Sequence, residues 1–361
     1  MKSIRSIGIL AIALLLFSCD DDKKEEVSSP EDAKASVEKM AVDMEADLVE
    51  MVNLEGVDAL TNLLDLVSED DPFSGRINTE MASKEVIAQR VKRLNSVFVP
   101  TSTGITNEDG NFDFEASLGV YEYNFTTQLF DQTKQGGDKV TMHFPTATSN
   151  TNNATLNITA YSEIVIEEEN KYGWDETSIF LTLITADLSI DNVEVLDLDM
   201  SANYSADGLP ESVEVSLTMN PFEFTMSFSD TDEKMSSVSF GVNKSSEKIA
   251  GASVTLTYES SSKEVFSSVN GEVSYRDIGF KGDIDISDLE NGANEPFDLN
   301  DLINLSMYDG STKIGDVVFE DSDYETVAYI EYSDGSKELL EELLAPVIDE
   351  LEDFILELEG E

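Results

Sequence analysis

One cysteine, Cys19, and one histidine, His143, occur in the 361 residues, and that scarcity removes most side-chain chemistry. Thiol catalysis would have to use Cys19, and a serine triad would have to use His143 as its base. His143 lies in the strand-like stretch Val140-Thr141-Met142-His143-Phe144 with no Gly-x-Ser-x-Gly elbow elsewhere, so it reads as an ordinary strand residue. A two-histidine zinc site is impossible, and neither a Walker A loop nor a Gly-x-Gly-x-x-Gly turn is present. Ser-x-x-Lys occurs at Ser36/Lys39, Ser245/Lys248 and Ser260/Lys263 but without Ser-Asp-Asn or Lys-Thr-Gly companions. Carboxylates are the opposite case: with 75 Asp and Glu, every spacing a glycosidase pair needs is available, so none is singled out. Asp283-Ile284-Asp285-Ile286-Ser287-Asp288 opens like a calcium loop, yet Asp288 stands where the turn glycine belongs and Asn294 where the bidentate Glu belongs. Asn107-Glu108-Asp109-Gly110-Asn111 is too short a match, so both read as solvated acidic loops. No catalytic set, metal site or cofactor is therefore expected. Tyr172-Gly173-Trp174 carries the single tryptophan on an expected hairpin tip. Tyr172 and Trp174 either stack on a sugar or a partner there, or fold back onto their own sheet, which is the simpler reading.

Cys19 has a telling neighbourhood. Lys2 and Arg5 precede Ile7–Phe17, eleven uncharged residues that lead into Leu16-Phe17-Ser18-Cys19. The run is too short to span a bilayer and has the layout of a signal-peptide apolar region. It resembles the lipobox of bacterial lipoproteins, with Leu16 as the aliphatic residue, Ser18 as the small residue and Cys19 as the acceptor of the lipid; Phe17 stands where a small residue is usual. That resemblance implies cleavage after residue 18 and an acylated Cys19. A secretory signal with an incidental thiol is the alternative. Asp20-Asp21-Asp22-Lys23-Lys24-Glu25-Glu26 follows and is too charged to enter a core, so residues 19–29 form an acidic tether. In lipoproteins of the Bacteroidota such an acidic cluster looks like a signal for delivery to the cell surface. The resemblance thus implies an outer-membrane, outward-facing protein with Asp20, Asp21 and Asp22 as its export signal. In enterobacterial lipoproteins an Asp beside the acylated cysteine instead resembles an inner-membrane retention signal, and the plain alternative is a hydrophilic spacer. With its one cysteine spent on the lipid, the chain would have no disulfide.

The net charge of −53 argues against nucleic acid as a partner, because phosphate binding needs Lys and Arg, and these number only 22. With 40% hydrophobic residues the chain can still bury a sizeable core.

Two periods organise the mature chain. Ser29-Pro30-Glu31-Asp32 predicts a helix start, with Ser29 as cap and Pro30 in the first position. Val37, Met40, Ala41, Met44, Leu48, Met51 and Val52 recur every three or four residues to about Asn53, and Leu60, Leu63, Leu64 and Val67 continue beyond Gly56. A third short helix is expected around Ile87, Val91 and Leu94, where Lys84, Arg90, Lys92 and Arg93 form the densest basic patch, read as neutralising acidic neighbours. Residues 30–97 are thus a helical region. From about 98 to 335 the period becomes two, as in Val213-Val215-Leu217-Met219, Phe222-Phe224-Met226-Phe228 and Val238-Phe240-Val242. Turns are expected at 135–138, 170–174, 207–210, 230–234 and 309–310, and Pro221 marks a strand start or an edge. About a dozen strands exceed what one flat sheet carries, so a curved half-barrel or a sandwich is expected. Residues 288–298 read as a loop, followed by a helical turn at 299–305. Ser336–Glu361 places Leu340, Leu344, Val347, Leu351, Ile355 and Leu358 on one stripe of a helix that Pro346 should kink or split. This stripe is expected to bury on its own domain, since its polar face is anionic and so unsuited to a membrane surface.

The expected class is therefore α+β: a large antiparallel β region with N-terminal amphipathic helices and a C-terminal one. The expected role is binding or scaffolding, with the membrane as partner through the N-terminal lipid and a neutral glycan, a hydrophobic ligand or a protein as further possibilities. Its rivals are a carrier of lipid in a half-barrel, a likeness of layout alone, and a carboxylate-based hydrolase such as a glycosidase.

Overall fold

The computed structural model describes residues 28–67, 114–169, 175–206, 208–230, 232–263, 265–285, 298–321 and 326–359. Cys19, Asp20, Asp21, Asp22, Tyr172, Trp174 and the basic patch at 84–93 lie outside them.

Helix α1 (Pro30–Val52) starts where the sequence places it: Ser29 Oγ accepts from the Asp32 N–H at 3.2 Å, and Pro30 fills the first position, where no N–H is needed. Helix α2 (Glu55–Val67) follows, then the single turn α3 (Phe114–Ser117). Among the described residues there are sixteen strands: β1 (Gly119–Asn124), β2 (Leu129–Gln135), β3 (Val140–Phe144), β4 (Ala154–Glu169), β5 (Asp175–Ile190), β6 (Val193–Tyr204), β7 (Pro210–Met219), β8 (Phe222–Ser229), β9 (Met235–Lys244), β10 (Glu247–Tyr258), β11 (Phe266–Tyr275), β12 (Ile278–Asp285), β13 (Ile303–Asp309), β14 (Thr312–Asp321), β15 (Thr326–Tyr332) and β16 (Lys337–Leu339). Helix α4 (Leu299–Leu302) precedes β13, and α5 (Leu340–Glu359) ends the chain.

The strands form one mixed, unclosed sheet in the order β16 down to β3, then β1 and β2. Pairs from β3 to β7 and from β9 to β16 are antiparallel, whereas β1 runs parallel to β3 and leaves β2 as an edge. The class is thus β-rich α+β. Sixteen strands exceed the expected dozen, because β1 and β2 and the short β16 carry little apolar alternation. The turn of 299–305 stops at Leu302, since Ile303 to Asp309 pair with β12 in register. Likewise α5 begins at Leu340 and not at 336, because residues 337–339 are taken up by pairing with β15. The helix runs unsplit through Pro346, and Leu343 and Val347 on either side of it are buried.

Some turns followed sequence signals and others did not. Gly310 at φ +59° makes the β13–β14 turn, as the Asp-Gly pair predicts. Asp191-Asn192 and Ser245-Ser246 also take positive φ, at +50° and +66° and at +52° and +69°. Asx residues visit that region readily, but serine gives no such signal, so the second turn is set by the pairing of its strands.

The chain divides into two compact units, Met1–Asp47 with Thr225–Leu351 and Leu48–Phe224 with Glu352–Glu361. In the first, Ala33, Val37, Met40 and Ala41 of α1 and Leu340, Leu343 and Val347 of α5 close over Phe280, Leu305, Met307, Ile314, Val317 and Ile330. Met307, Ile314 and Ile330 are fully buried. In the second, Val57, Ala59 and Leu63 of α2 and Phe144, Ala186, Leu188, Leu196 and Met219 are buried, and a Cβ on Gly56 would come within 2.9 Å of Val195 O. The helix there needs glycine to approach the strand so closely.

Candidate functional site

Three places in the described residues bring polar or apolar groups together in ways that bear on function. The most buried is Asp47, only 2% exposed, on the inner stripe of α1. It accepts hydrogen bonds from Lys244 Nζ at 2.8 Å, Arg276 Nη2 at 2.6 Å and the Tyr275 hydroxyl. Arg276 sits at φ +50° in the β11–β12 turn, and its backbone N–H donates to Ile249 O, so the guanidinium is delivered by a fixed backbone. Burial alone would raise the Asp47 pKa, but the bonds from Lys244 and Tyr275 and the charge of Arg276 outweigh it and hold the carboxyl below the usual range. Burial and the bond to Asp47 both push the Tyr275 phenol up. Two acids, Asp43 and Asp47, face two bases, and this balance makes the cluster a clamp between helix and sheet. The periodicity reading passed over it. Asp47 stands three residues after Met44, in phase with the apolar stripe, and an acid in that phase requires buried partners.

The second place is a polar ladder on β3 to β6. Thr141 Oγ1 donates to Asn157 Oδ1 at 2.9 Å, Asn157 Nδ2 donates to Asp187 Oδ2 at 2.7 Å, and Asp187 stands directly opposite Asp197 in the register. Burial first, then Asp199 and Asp187, raise the Asp197 pKa. This is the like-charge pairing a carboxylate enzyme would need, but here it lies on the alternation's polar face, with Thr185 holding Asp199 at 2.8 Å. His143 is its neighbour in sequence and a strand residue as expected, with Nδ1 2.9 Å from Thr155 Oγ1. Among the described residues no group of three or more His, Cys, Asp or Glu is arranged to hold a metal ion.

The third place is apolar. In the unit of β9 to β16, Phe240 pairs with Ala252 and Val238 with Val254; Ala252 in turn pairs with Val273, and Val273 with Phe280. Met226 joins this face from β8, since Thr225 Oγ1 lies against Gly241 and Ser227 Oγ bonds Ser239 Oγ on the other side. Under the helices the face is sealed. At β8 and β9 it is open: Met226 is 44%, Val238 37% and Phe240 45% exposed. At the far end of these strands Tyr258 stacks on Phe266, centroids 4.9 Å apart, and Lys263 Nζ pairs with Asp230 Oδ1 at 2.8 Å. The cations at both ends of the open face, Lys244 and Lys263, are thus already paired with Asp47 and Asp230.

No family model, no curated protein and no solved structure matches the chain.

Proposed function

We propose that the protein is a lipid-anchored outer-membrane lipoprotein, displayed at the cell surface, that works by binding a hydrophobic ligand on the open apolar face at β8 and β9. The observation that carries the binding part is the exposure of Met226, Val238 and Phe240 on the face that is fully buried at β13 to β15. Large exposed apolar groups in a row are costly in water and mark sites of contact. Lys244 and Lys263 at the two ends of the face are neutralised by Asp47 and Asp230, which favours an uncharged or weakly polar apolar molecule such as a lipid chain. A curved, half-barrel form of the sheet is the arrangement that would wrap such a ligand. The address rests on Leu16-Phe17-Ser18-Cys19 and the acids after it, which supply both an acylation site and a surface signal.

Native mass spectrometry of the purified ectodomain, with and without added fatty acid or diacylglycerol, tests the reading. An apolar adduct on the native chain that is lost in the Phe240→Ser, Met226→Ser variant supports it. Absence of any adduct, or equal adducts on both chains, counts against it. Labelled fatty acid incorporated by the native chain and not by Cys19→Ala tests the anchor separately.

A further inference from the structure

The described chain begins at Ser28, whose backbone N–H donates to Lys313 O at 3.0 Å, so the polypeptide is held beside the β13–β14 turn before α1 starts. From there α1 meets the strand ends one after another. Ser36 Oγ donates to Asp309 Oδ2 at 2.5 Å at the end of β13, Arg276 of the β11–β12 turn reaches Asp43 at 3.5 Å, and Lys244 at the end of β9 bonds Asp47. Dimensions agree with such a crossing. The seventeen helical steps from Pro30 to Asp47 (47 − 30) rise about 26 Å, and the five strand spacings from β14 to β9 cover about 24 Å. Helix α1 is a bar laid along one row of turns, the row that holds Ser245-Ser246, Arg276-Asp277 and Gly310-Ser311. The opposite ends of the same strands carry the turns at 230–234 and 259–263, about 33 Å away for the ten-residue strands β9 and β11.

Eight residues lie between Cys19 and Ser28, a distance of nine chain steps (28 − 19), and even fully extended they span about 30 Å. We infer that the row of turns under α1 is the membrane-facing end of this unit, held within about 30 Å of the bilayer, with the turns at 230–234 and 259–263 pointing away. The inference rests on the proposed acylation of Cys19. The outer side of α1 exposes Glu31, Asp32, Glu38 and Glu45, so an anionic leaflet repels it, and the end stands off the surface without lying flat on it. The open apolar face then runs from the membrane-facing turns outward along the strands. It is presented edge-on to the bilayer that holds the anchor.

Full-length protein produced in a lipidating host is placed in vesicles of neutral phospholipid that contain a quencher-labelled lipid. A fluorophore is attached through Ser311→Cys in one preparation and Ser261→Cys in another; both positions are exposed turn residues, and unchanged melting relative to the native chain shows that each variant is folded. Flotation with the vesicles is measured first, beside Cys19→Ala. Failure of the native chain to float, or flotation of Cys19→Ala, overturns the anchor and the inference with it. Where flotation depends on Cys19, the Ser311 probe is expected to lose most of its emission and the Ser261 probe to keep most of it. Equal quenching, or the reverse order, overturns the orientation while leaving the anchor standing.

Discussion

The two halves of one sheet face in the unit of β9 to β16 have the same alternation and opposite fates. At β13 to β15, Met307, Ile314 and Ile330 are sealed beneath α1 and α5; at β8 and β9, Met226, Val238 and Phe240 remain two-fifths exposed. Side-chain type does not distinguish them, since both are runs of large apolar residues at period two. What differs is which strands the helices reach. Helix α1 follows the strand ends, and its buried residues Ala33, Val37, Met40 and Ala41 meet β12 to β15, while its contact with β9 is the polar clamp at Asp47. Burial is therefore a property of the cover, set by how far the helices reach across the strands.

The sharpest way to test the contrast is to truncate a side chain in each half. Met307→Ala should cost about 2–5 kcal/mol of unfolding free energy, the range for a fully buried large side chain, measured by denaturant titration. If Met307→Ala costs no more than Phe240→Ala, the covered and open halves do not differ as described. Next in size is the clamp. Asp47→Ala leaves Lys244 and Arg276 without their shared carboxylate, and because both are partly exposed the cost should be about 1–3 kcal/mol, smaller than for a fully buried charge. Combining it with Lys244→Met measures the coupling, and additive losses would show that the two residues act independently.

The same clamp should be visible in the pH dependence of stability. The Asp47 carboxyl is held below its ordinary value in the folded chain, so its contribution is fully present above the unfolded carboxylate pKa of about 3.9 and is lost as pH falls through the folded value. The difference in unfolding free energy between the native chain and Asp47→Asn should accordingly shrink as the pH is lowered from 6 towards 3. A constant difference over that window would mean that the Asp47 charge does not stabilise the fold. The smallest expected effect belongs to the open face. Phe240→Ser with Met226→Ser should change stability by about 1–1.5 kcal/mol per site, roughly half the value for full burial because each side chain is only a little over half buried, and yet abolish capture of an apolar probe. A large loss of stability with probe capture intact would make this face part of the core.

Much of the architecture was legible along the chain because it is local physics. The capped start of α1, its apolar stripe and the alternating runs of β6 to β10 follow from periods of 3.6 and 2 that any single stretch carries. Asp-Gly and Gly-Gly turns were readable for the same reason, since φ above zero selects those residues. Edges and ends were harder. The strand β16 is three residues long, and β1 and β2 have mixed faces, so pairing partners and not residue patterns make them strands. The Ser245-Ser246 turn is imposed in the same way.

The sequence by itself determined a single thiol and a single histidine, and so the absence of histidine and cysteine sets for metal or nucleophilic chemistry, a strongly anionic chain and the division into helix-period and strand-period regions. Each follows from counts and near-neighbour spacing. Only the tertiary structure decided that Asp47 meets Lys244, Tyr275 and Arg276, that β1 inserts parallel beside β3, and that the apolar face is covered at one side and open at the other. The Asp47 cluster depends on contacts between residues about two hundred positions apart, the β1 pairing on a choice between strand partners, and the cover on where one helix crosses a sheet, none of which leaves a trace in local hydropathy.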